Sequence, residues 1–384
     1  MEAVQNQEGP EAKAAADAAS ATHGERPSNP RASTLQTSFA SRYVFHQSLH
    51  ERYLLHLNDD PFSLESFMTQ HLKMGGAYWA LTALWLLGKG SGAVTSADAE
   101  EAETKIPAST SESIFLKREE DLCKWIMSCQ HASGGFAQGP GQDPHITSTH
   151  YALLLLVGMN KLHLVDKDRV ASWVRRLRTS AGGFMGDECG ECDTRFAYCG
   201  VASLTLLERL DRTVAKETML YVLKCKNSDG GFGWIPGGES HAASVFCCLA
   251  ALALCEGLGC VDKEQLAVWL IDRQVEGGGF NGRPEKAPDV CYSFWILASL
   301  CIIGYLDWVD TEGLTEFILQ AQDDEEGGIA DRPGDVSDVF HTYFGIAALS
   351  LMQTVPGIGK VHPVLSLPCD VVQRAGLPLC VVWE

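Results

Sequence analysis

A Gly-Gly-apolar turn begins at Gly134, Gly182, Gly230, Gly278 and Gly327, in steps of 48, 48, 48 and 49 residues. So regular a period means that one supersecondary unit is repeated. Such units bury their apolar faces only by stacking on their neighbours.

Each unit has the same internal order. An amphipathic helix comes first, at Lys117–Cys129, Asp166–Leu177, Val214–Cys225, Asp262–Arg273 and Asp310–Ala321. Charges alternate there with apolar pairs at helical spacing, so one side faces water. The glycine turn follows. A nearly all-apolar helix then runs over Ser148–Val157, Thr194–Leu207, Ser240–Leu254, Val290–Leu306 and Val339–Met352. A helix that is apolar all round is buried. A further helical run at Ser66–Leu87, preceded by the start of order near Tyr43–Leu57, lacks the glycine turn and brings the count to about six pairs. No polar end caps of the kind an open solenoid needs are evident. The expected fold is all-α: an α/α toroid of six hairpins with a repeat of about 48 residues.

The ends and one insertion differ in composition. Residues 1–38 are rich in Ala, Ser, Glu, Pro and Gly and read as a disordered tail. The toroid then spans 39–384, with 90–112 a small, polar, acidic insertion loop. The proline-containing stretch after Val361 is expected to wrap the outside. Net charge is −19, which argues against nucleic acid or an anionic membrane as a partner through overall charge. No uninterrupted apolar run suggests a transmembrane segment. Most of the 14 cysteines sit in apolar helical runs, with no signal peptide before them. A reduced, cytoplasmic protein is the simplest reading.

In a toroid every glycine turn lies at one end, so residues just after the turns converge on its mouth. Two clusters arise there. Asp289, Cys291 and His341 combine carboxylate, thiol and imidazole, a donor set that suits Zn²⁺ with one position left open. Taken singly, Asp289 is equally an N-cap, Cys291 a small buried hydrophobe and His341 a helix-start histidine. His241, Arg283, Lys286 and Tyr292 place cations and hydrogen-bond donors beside helix N-termini, an arrangement suited to phosphate. The bland alternative is a solvated basic loop. Trp295 and the other aromatics of the inner helices either fill the centre or line an apolar funnel. The Cys189/Cys192 pair lacks a second pair at finger spacing and reads as incidental loop thiols. The acidic run Gln322–Glu326 reads as a solvated face.

The stretches GGFGWIPGGESHAASVFCC, NGRPEKAPDVCYSFWILASL and GGIADRPGDVSDVFHTYFGIAALSL resemble the motifs of protein prenyltransferase β subunits, and within them the Rab geranylgeranyltransferase (type II) branch. QDPH, ECDTRFAYC, HLKMGGAYW and KVHPVLSLP extend the likeness from about residue 43 onward. The resemblance implies zinc ligation by Asp289, Cys291 and His341. It implies geranylgeranyl diphosphate binding by His241, Arg283, Lys286, Tyr292 and Trp295, with Arg195 at the pocket mouth. Asp331 matches an aspartate implicated in Mg²⁺ binding in the farnesyl enzymes, and that makes magnesium a candidate second ion. Gly75 stands where farnesyl enzymes place a tryptophan at the pocket floor, which implies room for a C20 chain. His150 departs from the apolar residue usual at its position.

The resemblance further implies a heterodimer with a prenyltransferase α subunit. The substrate would be a Rab GTPase presented by an escort protein, its C-terminal cysteines alkylated as zinc-held thiolates. Another prenyltransferase branch, farnesyl or type I geranylgeranyl, stays open as an alternative, and Asp331 argues against type I. So do a terpene cyclase, for which no Asp-x-Asp-Asp motif is found, and a non-catalytic toroid scaffold.

Overall fold

The computed structural model describes residues 43–57, 69–90 and 110–377. Among the described residues twelve helices fall into six outer–inner pairs: α1 (Gln47–His56) with α2 (Lys73–Leu86), α3 (Thr110–Ser128) with α4 (Ile146–Gly158), α5 (Lys167–Arg176) with α6 (Thr194–Leu206), α7 (Arg212–Leu223) with α8 (Ala242–Leu254), α9 (Lys263–Ile271) with α10 (Val290–Ile303), and α11 (Thr311–Gln320) with α12 (Val339–Met352). A short α13 (Cys369–Arg374) follows. Each inner helix packs on the next, and α12 packs back on α2, so the inner ring closes. The expected α/α toroid is the observed fold. Among the described residues no helix is long and apolar enough to cross a membrane.

The glycine turns explain the period. The outer helix ends, and a single bridge joins its exit to the residue after the glycines: Gln130 to Phe136, Arg178 to Phe184, Lys226 to Phe232, Gln274 to Phe280 and Gln322 to Ile329. The first glycine has φ between 81° and 118° in all five turns, a region costly for any side chain. It also abuts the next outer helix. A Cβ on Gly134 would lie 2.6 Å from the Arg169 carbonyl of α5, and one on Gly327 would press into Leu49 of α1. The fifth turn therefore packs on the first outer helix and closes the outer ring. The apolar third residue, Phe136, Phe184, Phe232, Phe280 or Ile329, is fully buried. A buried phenylalanine of this kind contributes roughly 1.5–3 kcal/mol.

The inner helices are capped at the same period. His145, Asp193, His241, Asp289 and Asp338 each occupy the N-cap and accept a backbone N–H from the first turn. α10 ends at Ile303, not Leu306, because Gly304 takes φ 86° and stops it. Leu306–Trp308 is a separate 3₁₀ turn. α3 begins at Thr110, inside the stretch expected as loop 90–112 and ahead of the expected start at Lys117. The remainder of that loop, the 1–38 tail and the first turn of the expected Ser66 helix lie outside the described residues.

Two expectations are corrected. The stretch after Val361 does not wrap the outside. Residues 361–368 form a wholly buried hairpin, bridged from Val361 to Pro368, inside the inner ring. Tyr78 and Tyr343 both donate to the Ser366 carbonyl at 2.7 Å, and Tyr198 donates to that of Val364 at 2.7 Å. An apolar hairpin with a few well-placed carbonyls can enter the ring because tyrosines supply the donors its backbone loses from water. The acidic run Gln322–Glu326 is not merely a solvated face either. It receives α1: Gln322 bonds His50 and the backbone at His46 and Val44, and Glu326 pairs with Arg52. It forms the seam at which the first and last units meet.

Candidate active site at the mouth of the ring

Fixed repeat length puts equivalent residues at equal height. Seven inner-helix rings form a closed belt across the ring of helices. Tyr78 meets Tyr343 at 5.5 Å, and the belt runs on through Phe294 (6.4 Å), Phe246 (5.7 Å), Tyr198 (5.6 Å) and His150 (5.2 Å). Tyr151 lies 6.1 Å from His150 and 4.9 Å from Tyr78, and completes the circuit. His150 thus takes an aromatic seat. Its Nδ1 is buried without a partner, and burial lowers its pKa to about 3. Beside the belt Trp295 touches Tyr292 (5.6 Å), Phe344 (5.1 Å) and Phe340 (6.0 Å), and Phe340 touches Trp79 (4.9 Å). Gly75 is buried on α2, and a Cβ there would meet the Trp79 indole at 3.1 Å. The space beside Gly75 is held by the tryptophan one turn on.

Above this belt Asp289, Cys291 and His341 converge. One donor atom from each lies within 4.8 Å of the others. His341 Nε2 is 3.3 Å from Asp289 Oδ1, and its Nδ1 is 2.6 Å from Asp338 Oδ2. Asp289 is also the N-cap of α10, accepting the Cys291 N–H at 2.8 Å. Its structural and chemical roles coincide rather than compete. Burial alone would lower the His341 pKa, but Asp289 and Asp338 raise it to about 9. Burial, with Asp289 beside it, pushes the Cys291 thiol well above its usual range. Burial raises Asp289 too, yet hydrogen bonds from His341 and Cys291 outweigh it and the carboxyl lies low. The surroundings are rich in acceptors, with Asp331 and Asp338 also acting on Cys291. Sulfur, nitrogen and oxygen donors packed so closely, with the second histidine nitrogen held by a carboxylate, fit a zinc ion.

The anion cluster lies alongside. His241 Nδ1 accepts the Ala243 N–H at 3.2 Å, leaving Nε2 3.5 Å from the Tyr292 hydroxyl. Burial, then Arg283, lower the His241 pKa. A neutral ring that accepts at Nδ1 carries its proton on Nε2 and donates from there. Tyr292 lies over Gly282, where a Cβ would meet its hydroxyl at 2.7 Å. Arg283 is ion-paired with Glu239, and Lys286 is exposed in the same loop. Arg195 stands apart. Its Nε donates to Asp193 at 3.0 Å, and its guanidinium lies over Phe196 (5.0 Å) and Trp234 (5.5 Å). Asp331 accepts from Arg332 at 2.7 Å, while its carbonyl receives the Val290 N–H at the start of α10. Cys189 is exposed, and the Cys192 thiol donates to Tyr221 at 3.6 Å.

Asp338 and Glu239 were not singled out in the sequence. Asp338 was within reach, because it falls 49 residues after Asp289 in the same cap position. Glu239 had no such signal, since its pairing depends on where two loops meet.

The α/α toroid thus carries a mixed-donor triad and a basic cluster at one mouth, above a belt of aromatic rings. The family described as "Prenyltransferase alpha-alpha toroid domain" matches residues 45–367. The geranylgeranyl transferase type-2 subunit beta of Saccharomyces cerevisiae is 40% identical over 332 residues, covering 85% of this chain and 94% of that one. That of Candida albicans is 38% identical over 184 residues, covering 45% and 47%. The Candida albicans protein geranylgeranyltransferase-I complexed with GGPP superposes with a TM-score of 0.71 at 21% identity, covering 86% and 98%, a likeness of fold. The chain belongs to the prenyltransferase α/α toroid family and is by that membership a transferase.

Proposed function

We propose that the chain is the catalytic β subunit of a type-2 protein geranylgeranyltransferase. It acts in the cytoplasm with an α subunit, on C-terminal cysteines of Rab-type GTPases presented by an escort protein. The observation that carries the reading is the meeting of three elements: the Asp289–Cys291–His341 triad, the His241–Arg283–Lys286–Tyr292 cluster and the aromatic lumen. Zinc held by the triad would supply Lewis-acid stabilisation of a substrate sulfur as thiolate at neutral pH.

The chain's own residues do the rest. The lumen walls, from Trp295 and Phe340 down to the Tyr78–His150 belt, bind the isoprenoid and exclude water, each buried CH₂ contributing about 0.8 kcal/mol. His241 Nε2–H, the Tyr292 hydroxyl, Arg283 and Lys286 donate to the diphosphate as charge builds on it during C–O cleavage. Arg195 lines the mouth, and Asp331 is the candidate magnesium carboxylate. No protein nucleophile is required.

Competition between C15 and C20 diphosphates, using the purified heterodimer and a Rab substrate, tests the reading. An extra buried isoprene unit amounts to a few kcal/mol, so a preference for C20 of at least about tenfold is expected. Gly75→Trp, whose side chain would crowd the Trp79 indole, shifts use toward C15 while zinc is retained. Equal use of both donors by the native enzyme moves the assignment to the farnesyl branch.

A further inference from the structure

The arginines around the mouth are already engaged by carboxylates. Arg195 is held by Asp193 and Glu191, and Arg332 by Asp331. These partners are near neighbours in sequence. Arg283 differs, because its partner Glu239 comes from the preceding repeat, 44 residues away. Glu239 lies two residues before His241, the cap of α8, and its carboxylate is bound to Arg283, another member of the anion cluster. It also bears electrostatically on His241, opposing the effect of Arg283 there. Both side chains are open to solvent, 39% for Arg283 and 60% for Glu239, so the pair can separate without exposing a buried charge.

We propose that Glu239 is a built-in competitor for the anion. It occupies the Arg283 guanidinium when no diphosphate is present and must give it up when one binds. The inference rests on the anion-site reading above. The same penalty falls on every diphosphate, and a ligand whose apolar tail adds affinity in the lumen makes it up where an inorganic diphosphate does not. It also re-engages Arg283 once the bond to the lipid has broken, which assists departure of the diphosphate product.

The test is calorimetric titration of inorganic diphosphate into the full-length chain and three variants: Glu239→Gln, Arg283→Ala and the double variant. An exposed ion pair is weak, so the expected change is modest: Glu239→Gln binds roughly three- to tenfold more tightly than the native chain. Arg283→Ala binds more weakly, and in that background Glu239→Gln brings no further gain. Unchanged or weaker binding by Glu239→Gln, with Arg283→Ala still impaired, overturns the competitor role and makes Glu239 a support for Arg283. A gain that persists without Arg283 overturns it as well, in favour of through-space repulsion. Equal binding by the native chain and Arg283→Ala, or none by either, removes the anion site itself.

Discussion

Asp338 grips His341 twice: one carboxylate oxygen accepts the histidine backbone N–H at 2.9 Å, and the other lies 2.6 Å from its imidazole Nδ1. The first contact caps α12. The second fixes the ring so that Nε2 faces Asp289 and Cys291.

The two roles of Asp338 can be separated. Asp338→Ala is expected to weaken zinc affinity about 10- to 100-fold. It should also lower stability by about 1 kcal/mol through the lost cap. Asp338→Ser retains a cap oxygen but cannot reach the ring, and should lose zinc affinity at nearly native stability. Chelator competition paired with urea unfolding reads both. Native zinc affinity in both variants would confine Asp338 to capping.

His150 holds an unpartnered Nδ1 in a belt otherwise made of phenylalanines and tyrosines. An unsatisfied buried polar atom costs about 1–3 kcal/mol. His150→Phe should therefore raise the unfolding midpoint and tighten lipid binding. A lower midpoint would show that the site has no room for the extra carbon.

His50 sits in the seam, with its Nδ1 accepting the Gly328 N–H at 3.0 Å and its Nε2 3.3 Å from Gln322 Oε1. Burial lowers its pKa to about 4 against the Gln322 contact, which raises it; His46 adds slightly to the lowering and Asp324 opposes it. The unfolded chain takes up this proton near pH 6.5, whereas the folded chain resists until about pH 4. Stability from this group is complete above pH 6.5, falls between 6.5 and 4, and is level below. His50→Asn, which keeps an acceptor for Gly328, should flatten that limb of the urea midpoint against pH. An unchanged slope would assign the acid limb to other groups.

Adjacent glycines separate backbone conformation from packing. Gly277 and Gly278 have φ of 96° and 86°, but a Cβ on Gly277 meets nothing within 4 Å, whereas one on Gly278 runs into the Gly313 backbone. Gly277→Ala should cost about 1–2 kcal/mol. Gly278→Ala should cost clearly more, because α11 must move away. Equal losses in thermal unfolding would mean that the turn yields without disturbing α11.

The inner helices, the turns and the meeting of Asp289, Cys291 and His341 were legible because each depends on residue type at fixed spacing. Gly134 through Gly327 mark the turns, and Asp289 and His341 stand at successive helix starts. The seam was not legible. Gln322 and Asp324 look like any acidic surface until α1 is seen to dock on them. Nor was the internal hairpin, because the hydropathy of Val361–Leu367 suits burial against either side of a helix ring.

The sequence by itself determined the repeat, the six-pair ring and the height of each residue within it, because periodicity is a local property that every unit satisfies alone. Tertiary structure alone decided which side chains face one another across the mouth and what closes the lumen. The Glu239–Arg283 pair and the tyrosine donors on Ser366 join residues from different units. Contacts of that kind are fixed by ring closure, which no single repeat encodes.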